Sequence, residues 1–208
     1  MINKNLQKYI ENNIFPKYEL NDKGHGMEHI NYVIRRSINF AKKLDEIDLN
    51  MVYTIASYHD IAHSINPSKH EQLSADILLA DKELNKYFTK DKLNIMYEAI
   101  IDHRASLENE PRNIYGKIIS SADRNTKIED ILKRTYQYRI NNYKLENLEE
   151  IIEESYNHIK EKFTSNGYAS KKMYFKDKEY EKFIKDVDNL INDKNYFINL
   201  YKEVNDIK

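Results

Sequence analysis

With 208 residues, 40% of them hydrophobic and 32% charged, the chain is long enough to bury one sizeable core behind heavily charged helix faces. Lys and Arg number 33 against 34 Asp and Glu, a net charge of -1, which excludes a global field for nucleic acid or an anionic membrane and confines any phosphate attraction to local groups. The absence of cysteine excludes disulfides, thiolate nucleophiles and cysteine-type zinc sites.

Only 4 Gly and 3 Pro interrupt the chain, which favours an all-α fold. The N-terminal MINKNLQKYIENNIF lacks the apolar run of a signal peptide and no later stretch approaches a membrane span, so a cytoplasmic protein is expected. From Met27 to Leu44, Ile30, Val33, Ile34, Ile38 and Ala41 recur at helical spacing behind the breakers Gly24 and Gly26, predicting an amphipathic helix. A second helix is predicted over Leu49–Ala62, with Met51, Val52, Ile55 and Ala56 inward and His59-Asp60 in its last turn, before the breaker Asn66-Pro67. A third covers about His70–Leu79 and a fourth about Lys92–His103. Pro111 opens a fifth, whose stripe of Ile114, Ile118, Ile119 and Ala122 leads into Asp123-Arg124 and a further helical segment through Ile128, Ile131 and Leu132. Leu148 to Phe163 gives another clear helix. Thr164 to Lys178, with Asn166-Gly167, reads as a long loop or lid, followed by charged helices at about Lys178–Ile191 and Tyr196–Val204. The 17 Tyr are scattered, as amphipathic residues at a core margin are, and no repeat or linker divides the chain, so one domain over 1–208 is expected.

Seven histidines make one His-Asp dipeptide weak evidence by itself. The register of its surroundings is stronger. His59 falls four residues after Ile55 and Asp60 four after Ala56; His70 precedes Leu73 by three, His103 follows Ile100 by three, Asp123 follows Ile119 by four, and His29 precedes Val33 by four. All six therefore extend the inward stripes of their helices. Any one inward His is ordinarily a hydrogen-bonded core residue. Burying four imidazoles and two carboxylates together leaves polar groups that cost about 1–3 kcal/mol each when unsatisfied, and a divalent cation removes that cost. His25 and His63 stand four residues from His29 and His59 respectively. His25 reads equally as a ligand or as a turn residue orienting the helix entrance, and His63 is placed for acid-base work at the rim.

Through GHGMEH, ASYHDIAH, KHEQLSA, AIIDHRAS and SSADRN, the stretch from about Lys23 to Lys127 resembles the HD-domain metal-dependent phosphohydrolase superfamily, and the whole chain resembles its small bacterial members. The resemblance implies an HD-domain helical bundle with additional C-terminal helices, the core at about 23–127 and the extension at about 128–208. It further implies that His29, His59, Asp60 and Asp123 hold one divalent ion, with His70 and His103 matching the extra histidines of binuclear members and Asp60 bridging two ions drawn from Mn, Fe, Ni, Co or Mg. Arg104 and Arg124 become candidate clamps for phosphate oxygens, with Lys117 and Lys127 behind them. Asp60, His63, Arg104 and Arg124 are the candidate catalytic residues. The expected activity is hydrolysis of a phosphate ester or anhydride in a nucleotide or another small phosphorylated metabolite, with no membrane or nucleic-acid partner and homodimerisation left open. Some members use the same ligand order for di-iron oxygen chemistry, and a non-catalytic nucleotide-binding regulator is a third reading. After His59-Asp60 the chain continues Ile61-Ala62-His63-Ser64, without the Glu-Asp pair of alarmone hydrolases, and the Gly-Tyr-Pro signature of cyclic-dinucleotide members is missing.

Overall fold

The computed structural model describes residues 1–143 and 147–207. Among them are ten α-helices and no strand, so the all-α expectation holds. They form two compact units, Met1–Asp123 and Arg124–Lys208.

The first unit contains α1 (Lys4–Asn13), α2 (Met27–Ala41), α3 (Leu49–Tyr58), α4 (His70–Ala80), α5 (Lys90–Ile101) and α6 (Ile114–Ala122). Its centre is α3, in which every residue from Met51 to Tyr58 is buried. A helix apolar on all sides must be surrounded, and α3 packs against α1, α2, α4, α5 and α6. Its start is fixed by Asp48, whose side chain accepts from the Asn50 N–H. Each fully buried large side chain, such as Ile55 or Met51, contributes about 1.5–3 kcal/mol to holding it there. Three tyrosines pin the rest: Tyr58 and Tyr9 both donate to Asp81 Oδ2, at 2.6 and 2.7 Å, and Tyr18 donates to the Ser57 carbonyl at 2.9 Å. Helix α1 and the short 3-10 helix Phe15–Leu20 that follows it were not among the sequence expectations.

Several boundaries differ from the periodicity, each for a local reason. Helix α2 stops at Ala41 because Lys43 and Leu44 bond to carbonyls only three residues back, winding the chain out before the left-handed Glu46 (φ 58°). Helix α3 stops at Tyr58, so the His-Asp pair lies just past the helix and not in its last turn. The chain continues there in three-residue turns, with the Ala62 N–H donating to Ser74 Oγ at 3.1 Å. Helix α5 ends at Ile101, two residues short of His103. Pro111 does not open α6; Asn113 caps it, accepting from the Gly116 N–H at 3.0 Å. Helix α10 begins two residues earlier than expected because Asp193 supplies its cap.

The second unit contains α7 (Ile128–Tyr138), α8 (Leu148–Phe163), α9 (Lys178–Asn192) and α10 (Lys194–Val204) around a core that includes Ile159, Phe183, Val187 and Phe197. The predicted loop 164–178 is folded back on the end of α8, where Tyr168 and Ala169 N–H bond the carbonyls of Glu161 and Lys162, and a 3-10 turn spans Ser170–Lys172. A Cβ at Gly167 would lie 2.5 Å from the Lys162 carbonyl oxygen, so only glycine fits this close approach. Among the described residues no helix is long and apolar enough to cross a membrane.

Candidate metal centre

The six inward candidates come together within the first unit, and Asp60 stands in their middle. Its Oδ2 lies 3.5 Å from the Nε2 atoms of both His29 and His59, and its Oδ1 lies 3.1 Å from His70 Nε2 and 3.6 Å from His103 Nε2. Asp123 Oδ1 is 3.1 Å from His29 Nε2, and the Nε2 atoms of His70 and His103 are 3.3 Å apart. His59, Asp60, His70 and His103 are buried, and His29 and Asp123 are partly so.

The orientation of three rings is fixed by the backbone. Nδ1 of His59 donates to the Ala56 carbonyl at 2.9 Å, Nδ1 of His70 to Pro67 at 2.8 Å, and Nδ1 of His103 to Ile100 at 2.6 Å. A carbonyl can only accept, so each Nδ1 carries the proton and each Nε2 faces the centre. Burial pushes His59 down to about 4, leaving its Nε2 a bare lone pair at neutral pH. Burial also opposes charge on His29 and His103, yet Asp123 and Asp60 hold His29 up to about 9, and Asp60 raises His103. Burial opposes ionisation of Asp60 and Asp123 as well, but the surrounding imidazoles keep both below the usual carboxylate range.

His29 Nε2, His59 Nε2 and Asp60 Oδ1 are buried with no hydrogen-bond partner, since the ion-pair neighbours are close without being aligned as donors. Buried polar atoms left without a hydrogen bond are costly, and a divalent cation, displacing any proton on the rings, turns each into a ligand. The donor set of imidazole and carboxylate therefore fits such an ion. His29, His59 and Asp123 form one triad of converging ligand atoms, and Asp60, His70 and His103 another.

At the rim, His25 and His63 stack with ring centroids 3.5 Å apart, and Asp22, a residue the sequence reading passed over, faces both. Burial, followed by the neighbouring His25, pushes His63 down to about 4. Arg104 is not a free clamp: its Nε pairs with Glu71 Oε1 and its Nη2 donates to the Pro67 carbonyl at 3.2 Å. Arg124 opens the second unit, buried, with Nη2 donating to the Lys172 carbonyl at 3.5 Å. Lys117 pairs with Glu110 at 2.6 Å, and Lys127 is an exposed residue at the start of α7.

Three supporting residues escaped the sequence reading. Asn21 donates to the carbonyls of His25 and Asp60, both at 3.0 Å, and accepts from the Ser64 N–H at 2.9 Å. Buried Asp102 takes two side-chain bonds and one backbone bond from Arg112, all at 2.9 Å, closing the loop that begins with His103. Asn21 lies outside the motif stretch, and only the adjacency of Asp102 to His103 pointed toward the second pair.

These features define an all-α protein with a buried histidine and carboxylate centre suited to divalent cations. Residues 26–127, which include all six central candidates, match the family model of the HD domain, a family whose members bind divalent metals and are generally metal-dependent hydrolases. No curated protein and no solved structure matches the chain.

Proposed function

We propose that the protein is a metal-dependent phosphohydrolase that cleaves a phosphate ester or anhydride of a nucleotide or other small phosphorylated metabolite. The observation that carries this reading is the division of Asp60, one carboxylate oxygen toward His29 and His59 and the other toward His70 and His103. That is the donor arrangement a carboxylate bridging two cations needs. Bound ions would polarise a phosphoryl oxygen and lower the pKa of a water molecule to the neutral range.

The chain's own contributions follow from its contacts. His29, His59 and Asp123 would hold one ion and His70 and His103 the other, with Asp60 shared. The Nδ1 bonds to backbone carbonyls keep the rings from turning, so the donors are in place before substrate arrives. Arg104 sits one residue after His103 with a side chain 42% exposed, and an incoming phosphate can compete with Glu71 for its guanidinium.

The test is to load purified protein with Mn, Fe, Ni, Co or Mg and screen a panel of nucleotides and phosphorylated metabolites for release of phosphate or pyrophosphate. Turnover of at least one member, lost on Asp60→Asn, is the expected result. Silence across the panel by protein shown to contain metal would overturn the proposal.

A further inference from the structure

Beside the two central triads lies a third group of the same composition, and we propose that Asp22, His25 and His63 form an additional divalent-cation site at the mouth of the centre. Their ligand atoms all lie within 4.8 Å of one another. His25 Nδ1 is 2.9 Å from Asp22 Oδ2, and His63 Nδ1 is 3.4 Å from the same oxygen. The two rings are stacked, 3.5 Å between centroids and 17° between planes, so both Nδ1 atoms converge on one carboxylate from the same side. Each of the three groups thus offers two imidazoles and one carboxylate, and together they use six of the seven histidines in the chain, His158 alone standing apart.

The third group is assembled from two separate pieces of chain, and Asn21 holds them together. Its amide bonds the His25 and Asp60 carbonyls while its oxygen accepts from Ser64, locking the turn that carries Asp22 and His25 against the turn that carries His63. The donors are therefore preorganised before any ion binds, as a fixed coordination geometry requires. Asp22 is 58% exposed and His25 27%, so the group opens to solvent and leaves coordination positions for water or anionic oxygens. Two imidazoles with one carboxylate suit first-row transition ions, whereas Mg and Ca favour oxygen-rich shells. The rings lie close to the main centre, His25 to His29 at 5.9 Å and His63 to His70 at 5.2 Å between centroids. His63, expected from its place after the His-Asp pair to move protons, is on this geometry a ligand held in a donor set.

The site is defined by cation binding and does not depend on the hydrolase reading. Titrating the metal-free full chain with Ni or Zn by calorimetry, with metal analysis after dialysis, should give one more bound ion per chain for wild type than for Asp22→Asn or His25→Gln. Asp60→Asn should lose ions at the main centre and keep this one, so failure of the hydrolase assay leaves the result intact. Mg should not fill it. Asp22 and His25 are partly exposed, so both variants should keep the wild-type far-ultraviolet spectrum, and that is the folding control. Unchanged stoichiometry and affinity in both rim variants would overturn the proposal, as would binding of the extra ion only above millimolar metal.

Discussion

Removing metal should invert the pH dependence of stability. In the metal-free protein His29 is an imidazolium held by Asp123 and Asp60, with its pKa carried from the ordinary 6.5 up to about 9. A base whose pKa is raised on folding contributes stability that is complete below the unfolded value and lost as pH climbs through the folded one. For His29 that window is pH 6.5 to 9, and the shift corresponds to about 3 kcal/mol, or about 10 °C in Tm for a unit of this size. His103, also raised, adds in the same direction. His59, His63 and His158 are depressed to about 4 and act in the opposite sense below the window, so metal-free stability should peak near pH 6.5. In the loaded protein the same imidazoles must be neutral to act as ligands, so stabilisation by the ion should rise with pH across the same window. Thermal unfolding of chelator-treated and metal-loaded protein between pH 6.5 and 9 measures both slopes. If the two forms respond to pH with the same sign, the assignment of the cluster as a cation site fails.

Three further outcomes are expected. His70→Gln and His103→Gln should each lower metal content by one ion and leave the ion of His29, His59 and Asp123 in place, as read by mass spectrometric metal analysis. Asp102→Ala should release Arg112 and the loop after His103, weakening the ion beside His70 about 10-fold to 100-fold in a competition titration while the other ion keeps its affinity. Gly167→Ala should cost about 1–3 kcal/mol in denaturant unfolding, because its Cβ would lie 2.5 Å from a backbone oxygen that cannot move without unwinding the end of α8.

The fold class and the six central residues were legible because burial writes itself into spacing. Val52 and Ile55 fall on one face of α3, and continuing that stripe past the helix end predicts an inward His59. The helix ends were less legible, since they depend on hydrogen bonds to particular groups: Asp48, Asn113 and Asp193 supply caps, and Ser74 takes up the Ala62 N–H from another helix. Asn21 and Asp22 were missed because nothing periodic marks a turn residue whose partners are distant in sequence, the Asp60 carbonyl and the Ser64 N–H for Asn21 and the His63 ring for Asp22. The adjacency of Arg104 to His103 makes it a candidate phosphate clamp, but adjacency does not reveal that Glu71 lies across from it.

The misplaced helix ends also explain the site. His59 and Asp123 cap the C-termini of α3 and α6, and His103 follows the cap of α5, so three helices end at the cluster. The last carbonyls of a helix lack intrahelical partners. Two carbonyls near these ends, Ala56 and Ile100, take the Nδ1 protons of His59 and His103, with Ile100 also accepting from the backbone N–H groups of Asp102 and His103. Carbonyls at the helix ends thus set the tautomer of the rings beside them and turn each Nε2 inward. The partial negative charge of those ends favours positive charge at the cluster, carried either by a cation or by protonated imidazoles. The position of His59 just beyond the helix sets its ring beside the Ala56 carbonyl, with Nε2 toward the cluster.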